Sequence, residues 1–263
     1  MSKLRRKLRQ YLKYLIERYP PIGKFLSTRM NDVEVISLQI LNWIDKHVVK
    51  NFKIRVMKIF KGIWGSRVVP LNYNIDAETK FLPRQEIFEL ISRSEVFAIG
   101  ECYCRKKHQK ETGCTHPRNT CILINAPQGK SLYDIGEREI LFKNVSKDYI
   151  IALLDYCDKK GLVHQLIHFP SPNYFYVICN CCICCCEILS NYKKFLTPAV
   201  VKSDFIEITD TEICINCGKC VINCPFEARK FNNSRLIVDE LKCFGCGLCI
   251  RKCPQNAIKL TKR

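Results

Sequence analysis

Cys214-Ile-Asn-Cys217-Gly-Lys-Cys220-Val-Ile-Asn-Cys224-Pro225 and Cys243-Phe-Gly-Cys246-Gly-Leu-Cys249-Ile-Arg-Lys-Cys253-Pro254 are two copies of one pattern, C-x2-C-x2-C-x3-C-P. They belong to a longer internal repeat in which residues 210–231 align with 239–260, an offset of 29. Every cysteine, both prolines and the pair Ala228/Ala257 superpose. A duplicated β-hairpin and helix unit, joined at Asn232-Asn233-Ser234, is the economical architecture for such a stretch.

The spacing carries a chemistry. Three cysteines two residues apart wrap a tight loop over one cubane face, each reaching a different iron, while the fourth follows a proline turn to the other cluster. Cys214, Cys217, Cys220 and Cys253 are therefore expected on one [4Fe–4S] cluster, and Cys243, Cys246, Cys249 and Cys224 on the second. Gly218, Gly245 and Gly247 suit loops whose backbone N–H groups approach the sulfides closely. C-x2-C pairs also bind zinc, but two complete repeats with both prolines favour clusters. The segment resembles the bacterial dicluster ferredoxins at all eight ligand positions, which implies one-electron transfer through two [4Fe–4S] clusters.

The chain has 263 residues, 47% of them apolar, enough for two or three modest domains. Its 19 cysteines are many. The basic, charge-threaded start MSKLRRKLRQYLKYL does not read as a secretory signal, so thiolates reserved for metal in a reducing cytoplasm are expected, in an anaerobic setting. The longest uncharged stretch, Tyr174 to Cys186, is too short to span a bilayer.

The net charge of +18 is uneven: residues 1–70 hold 16 Lys and Arg against 4 Asp and Glu. Helices are expected at 3–19, 32–49 and 52–64, forming a basic helical region (1–70) that offers peripheral contact with an anionic membrane or an acidic protein, or simply caps the body. Residues 71–203 read as a cysteine-rich α/β domain. A helix is expected near Pro83, a buried strand at 96–100, a helix from N-cap Ser146 to Lys160, strands at 162–164 and 174–179, and a helix over 187–196. Residues 204–263 form the third unit, so the fold class is α+β. Residues 205–263 carry 10 basic against 6 acidic residues, and two oxidised clusters at about −2 each bring that unit near neutrality. A redox partner with an acidic or neutral docking surface follows.

Ten further cysteines fall in two groups. Cys102 and Cys104 open a C-x-C-R segment followed by Cys114 and Cys121; Cys179, Cys181, Cys182, Cys184, Cys185 and Cys186 crowd one short run. The combination resembles a little-characterised family of anaerobic 4Fe–4S proteins, with C-x-C-R and CNCC-x-CCC segments ahead of a dicluster tail. That resemblance spans residues 68–260 and includes Gly161-Leu-Val-His164. The chain departs from it at Ile183 and Glu187, where glycine is expected, and lacks a Cys-Cys-Gly motif. The ten cysteines make a third metal centre, either Fe–S or zinc, or perform thiol chemistry. Adjacent strand residues point to opposite faces, so the dense run cannot serve one metal entirely. Cys157 reads as a packed core residue.

Other signals are weak. Gly129-Lys130-Ser131 lacks the first glycine of a phosphate loop, no dinucleotide fingerprint occurs, and His108 and His116 read as solvated loop residues. His164 and His168 have no catalytic context. The primary expectation is an electron carrier. An oxidoreductase subunit acting through the middle cysteines is the first alternative. A redox-responsive nucleic-acid binder is the second, disfavoured by the few basic side chains on the 146–160 helix.

Overall fold

A computed structural model describes residues 65–71, 83–124, 129–130, 141–168, 175–195 and 200–263 except Ser234, together with Tyr11, Tyr14, Arg18 and Tyr19. The three N-terminal helices expected from the sequence lie outside the described residues, apart from Tyr11, Tyr14 and Arg18, which are helical. No described helix is long and apolar enough to cross a membrane.

Eight strands form the central sheet: β1 (Gly65–Val68), β2 (Phe97–Glu101), β3 (Asn119–Ile124), β4 (Gly129–Lys130), β5 (Leu141–Val145), β6 (Val163–His168), β7 (Phe175–Cys181) and β8 (Val200–Val201). Their order is β4-β5-β2-β3-β7-β6-β1-β8. Every pair is antiparallel except β1 with β8. Strands β1, β3 and β5 carry no strict alternation, so a sequence reading misses them; pairing within the sheet settles them.

The sheet is buried on both faces. On one, α1 (Pro83–Arg93) and α3 (Lys147–Lys159) lay Ile87, Ile91, Ile150 and Leu154 over Phe97, Ile122, Ile124 and Leu166. Helix α3 starts where Ser146 Oγ accepts the Tyr149 N–H at 3.2 Å, and the chain leaves it at Gly161 with φ 76°. On the other face, α4 (Glu187–Phe195) contributes Ile188 and Leu189. They pack with Ala98, Leu123, Val163, Ile167 and Tyr176. Helix α2 (Tyr103–Thr112) follows β2 directly, with Cys102 as its N-cap.

The C-terminal module closes that second face. It contains β9 (Phe205–Thr209), α5 (Lys219–Ile222), β10 (Arg229–Asn232), β11 (Arg235–Val238), α6 (Leu248–Lys252) and β12 (Ile258–Lys262). Strands β10 and β11 pair as one hairpin, while β9 and β12 bring the module's two ends together. Phe244 and Leu248 enter the sheet core. Phe244 stacks on Phe226 at 4.2 Å and meets Tyr192 of α4 edge-on at 4.8 Å. Arg251 reaches Asp155 Oδ1 at 3.0 Å and Asp158 Oδ2 at 3.2 Å, tying α6 to α3.

Candidate metal centres

In the C-terminal module the cysteines gather around two cavities. Cys214, Cys217, Cys220 and Cys253 line the first; Cys224, Cys243, Cys246 and Cys249 line the second. Gly218 and Gly247, at equivalent places in the two copies, cap α5 and α6 with φ of 74° and 78°. Gly245 (φ 63°) is tighter still: a Cβ there would collide with the Phe205 carbonyl and the Ser203 hydroxyl. Between the cavities lies Arg229, buried and paired with buried Glu207 at 2.6 Å, with Thr209 Oγ1 also at 2.6 Å. Burial pushes the Cys249 thiol up to about 12, with Arg229 opposing.

Residues 207–260 match the 4Fe-4S dicluster domain family. The dicluster domain accounts for the eight C-terminal cysteines and their two [4Fe–4S] clusters. It makes this an iron–sulfur protein of the electron-transfer type. A search of curated proteins returns no match.

The ten upstream cysteines divide into two sets. Cys114, from the turn after α2, meets Cys182, Cys184 and Cys185, from the turn after β7, with all four Sγ atoms within 4.8 Å of one another. Two of the separations, Cys114–Cys182 and Cys184–Cys185, are 3.8 Å. A tetrahedral ion with Zn–S bonds of about 2.3 Å sets its thiolates about 3.8 Å apart. A cubane holds its thiolates farther apart, because irons and sulfides lie between them. The tetrad therefore has the dimensions of a single tetrahedral ion. Burial opposes ionisation of Cys114, but the His116 backbone N–H and the neighbouring thiols bring it below the usual thiol value. Burial pushes Cys185 up to about 12, although Thr112 Oγ1 lies 3.1 Å from its sulfur.

The second set is Cys102, Cys104, Cys121, Cys179, Cys181 and Cys186. Period-two alternation divides the dense run: Cys181 packs into the core facing the dicluster domain and Cys182 into the opposite one. Cys157 is buried in the second core, its thiol raised to about 12 by burial.

Arg105 is the arginine of the C-x-C-R segment, and its surroundings are not readable from the sequence. It is fully buried and donates to Thr120 Oγ1 at 2.8 Å and to the Pro117 and Asn180 carbonyls. Its Nε has no hydrogen-bond partner, and no carboxylate among the described residues pairs with it. Burial works against its charge, yet the sulfurs of Cys102, Cys182 and Cys181 hold it above its ordinary value.

The histidines also differ from expectation. His108 sits on α2, half-buried, with Nε2 2.7 Å from Glu187 Oε1; this contact raises its pKa and pins α2 to α4. Glu187 thus has a structural partner where the resembled family has glycine. His164 is buried, with Nδ1 2.6 Å from Asn180 Oδ1 and Nε2 3.9 Å from Asp158 Oδ1.

Proposed function

We propose that this protein carries single electrons through the two [4Fe–4S] clusters of its dicluster domain into the sheet domain on which that domain is seated. The match over residues 207–260, with eight cysteines around two cavities, carries this reading. Cluster one takes Cys214, Cys217, Cys220 and Cys253; cluster two takes Cys224, Cys243, Cys246 and Cys249. The two ends of the path differ in exposure. Cys217 is exposed, and Ile215, which lines the first cavity, is 59% exposed. Cys246 of the second packs against the sheet core. Electrons enter at the first cluster from a redox partner with an acidic or neutral surface, and pass inward through the second.

The Cys114, Cys182, Cys184 and Cys185 tetrad binds one tetrahedral ion, zinc by its thiolate set and dimensions. A closed four-coordinate zinc has no redox chemistry, so its role is to staple the α2 turn to the β7 turn. The middle region's resemblance to anaerobic 4Fe–4S proteins agrees with a reducing setting for the whole chain. EPR of anaerobically purified protein reduced with dithionite tests the main reading: cluster signals lost from a Cys217→Ser, Cys246→Ser variant are expected. Zinc in place of iron at those cysteines would overturn it.

A further inference from the structure

The six upstream cysteines outside the tetrad close on themselves. The Cys102 sulfur contacts those of Cys104 and Cys121, and Cys104 contacts Cys186. Cys186 contacts Cys181, Cys181 contacts Cys179, and Cys179 contacts Cys121. The result is a ring of six thiols. We infer that this ring is a metal centre of its own, separate from the tetrad, and that it takes an iron–sulfur cluster rather than isolated ions.

Shape decides between the two kinds of occupant. One tetrahedral ion, or two ions sharing bridging thiolates, draws four sulfurs at a time into mutual contact, as the tetrad shows. Among the described residues the tetrad is the one group of three or more ligands mutually within 4.8 Å, so no three ring sulfurs are that close. Six donors set in a loop, rather than four drawn to one point, are more than a single tetrahedral ion takes. That is the outline of a thiolate girdle around a core of irons and inorganic sulfide.

The surroundings are those of an anion. Cys102 is the N-cap of α2, and Cys186 immediately precedes α4, where its sulfur accepts the Leu189 backbone N–H. Two helix N-termini thus lie beside the ring, at the two sulfurs that flank Cys104. Buried Gln165 donates Nε2–H to Cys186 Sγ at 3.7 Å, its amide oriented by Ser66 Oγ on Oε1 at 2.8 Å. Such N–H to sulfur bonds orient the ligand and tune a cluster's potential. Arg105 supplies a buried cation beside Cys102 and Cys181 of the ring and Cys182 of the tetrad, with no carboxylate among the described residues paired to it, in contrast to Arg229, which has Glu207.

Position gives the cluster a partner. Cys181 and Cys186 lie in the same core as Phe244, with Cys121, Cys179 and Cys246 packed against it. Cys246 is a ligand of the second dicluster centre, so the ring is the next station inward.

Iron, acid-labile sulfide and zinc counts on anaerobically purified full-length protein test the inference without any assay of activity. The expected composition is about twelve irons, matching sulfide and a zinc, against about eight irons for the dicluster domain alone. A Cys102→Ser, Cys181→Ser variant should lose about a third of the iron and keep its zinc. A Cys184→Ser variant should keep the iron and lose the zinc. About eight irons in the wild type overturns the inference, as does zinc rather than iron leaving with the ring cysteines. Mössbauer spectra of the wild type decide the matter should the ring variant fail to fold: an iron population beyond the two cubanes supports the ring, and its absence rejects it. Iron falling well below eight in the wild type would instead count against the dicluster reading.

Discussion

Arg105 shows how a single buried side chain constrains the chemistry around it. A guanidinium with no access to water and, among the described residues, no carboxylate partner lies against the sulfurs of Cys102, Cys182 and Cys181. Replacing it with methionine should destabilise the metal-loaded protein by about 3 to 5 kcal/mol, the usual cost of orphaning a buried charge. Anaerobic denaturation would show it. An unchanged midpoint would mean that the thiols beside it are neutral. The glycines offer a second test at this scale. Gly245→Ala forces a Cβ into the Phe205 carbonyl and should abolish retention of the second cluster. At Gly113 nothing lies within 4 Å of an added Cβ, so Gly113→Ala meets only the positive-φ penalty, about 1 kcal/mol. Iron content and thermal midpoints of the two variants separate them, and equal losses would contradict the packing argument.

Helix α3 and strand β6 carry a pH signature. Burial lowers His164 to about 4, against the Asn180 contact that favours its charge. Burial raises Asp158 to about 6, with Arg251 opposing. A histidine lowered on folding contributes stability that is lost as pH falls from about 6.5 through about 4. A carboxyl raised on folding contributes stability that is lost as pH rises from about 4 through about 6. The two slopes oppose across the shared window and largely cancel. His164→Asn should therefore leave a protein that weakens by about 1.4 kcal/mol per pH unit as pH rises from about 5 to about 6. Asp158→Asn should show the reverse slope. Denaturation midpoints of both variants relative to wild type check this, and parallel profiles would contradict it.

Legibility in the sequence follows the same division between local and distant. The eight dicluster cysteines are readable because a short loop of fixed spacing builds each site. Helix α3 is readable because Ser146 and Gly161 mark its ends locally. The division of the ten upstream cysteines is not readable, since Cys114 meets Cys182 only through the pairing of β3 with β7. His108 looks like a loop residue until α2 and α4 are set side by side, and then Glu187 is its partner. Arg105 lies in plain view after Cys104, but its isolation from carboxylates exists only in three dimensions.

For the molecule as a whole, the seating of the dicluster domain on the sheet matters most. Phe244 in the core holds the second cluster's side against the face that carries the six-thiol ring, and Arg251 ties the module to Asp155 and Asp158 of α3. Phe244→Ala should cost about 3 to 5 kcal/mol and loosen that seat. Retained clusters with slowed internal electron transfer are the expected result, read by anaerobic flash reduction. Unchanged kinetics would mean that the contact is only structural. The most direct measurement of the central claim is EPR of the dithionite-reduced full-length protein beside its Cys102→Ser, Cys181→Ser variant. Electron passage from the dicluster domain into the sheet domain predicts that the wild-type cluster signals are broadened by a further nearby paramagnet and sharpen in the variant. Identical spectra from the two proteins would contradict it.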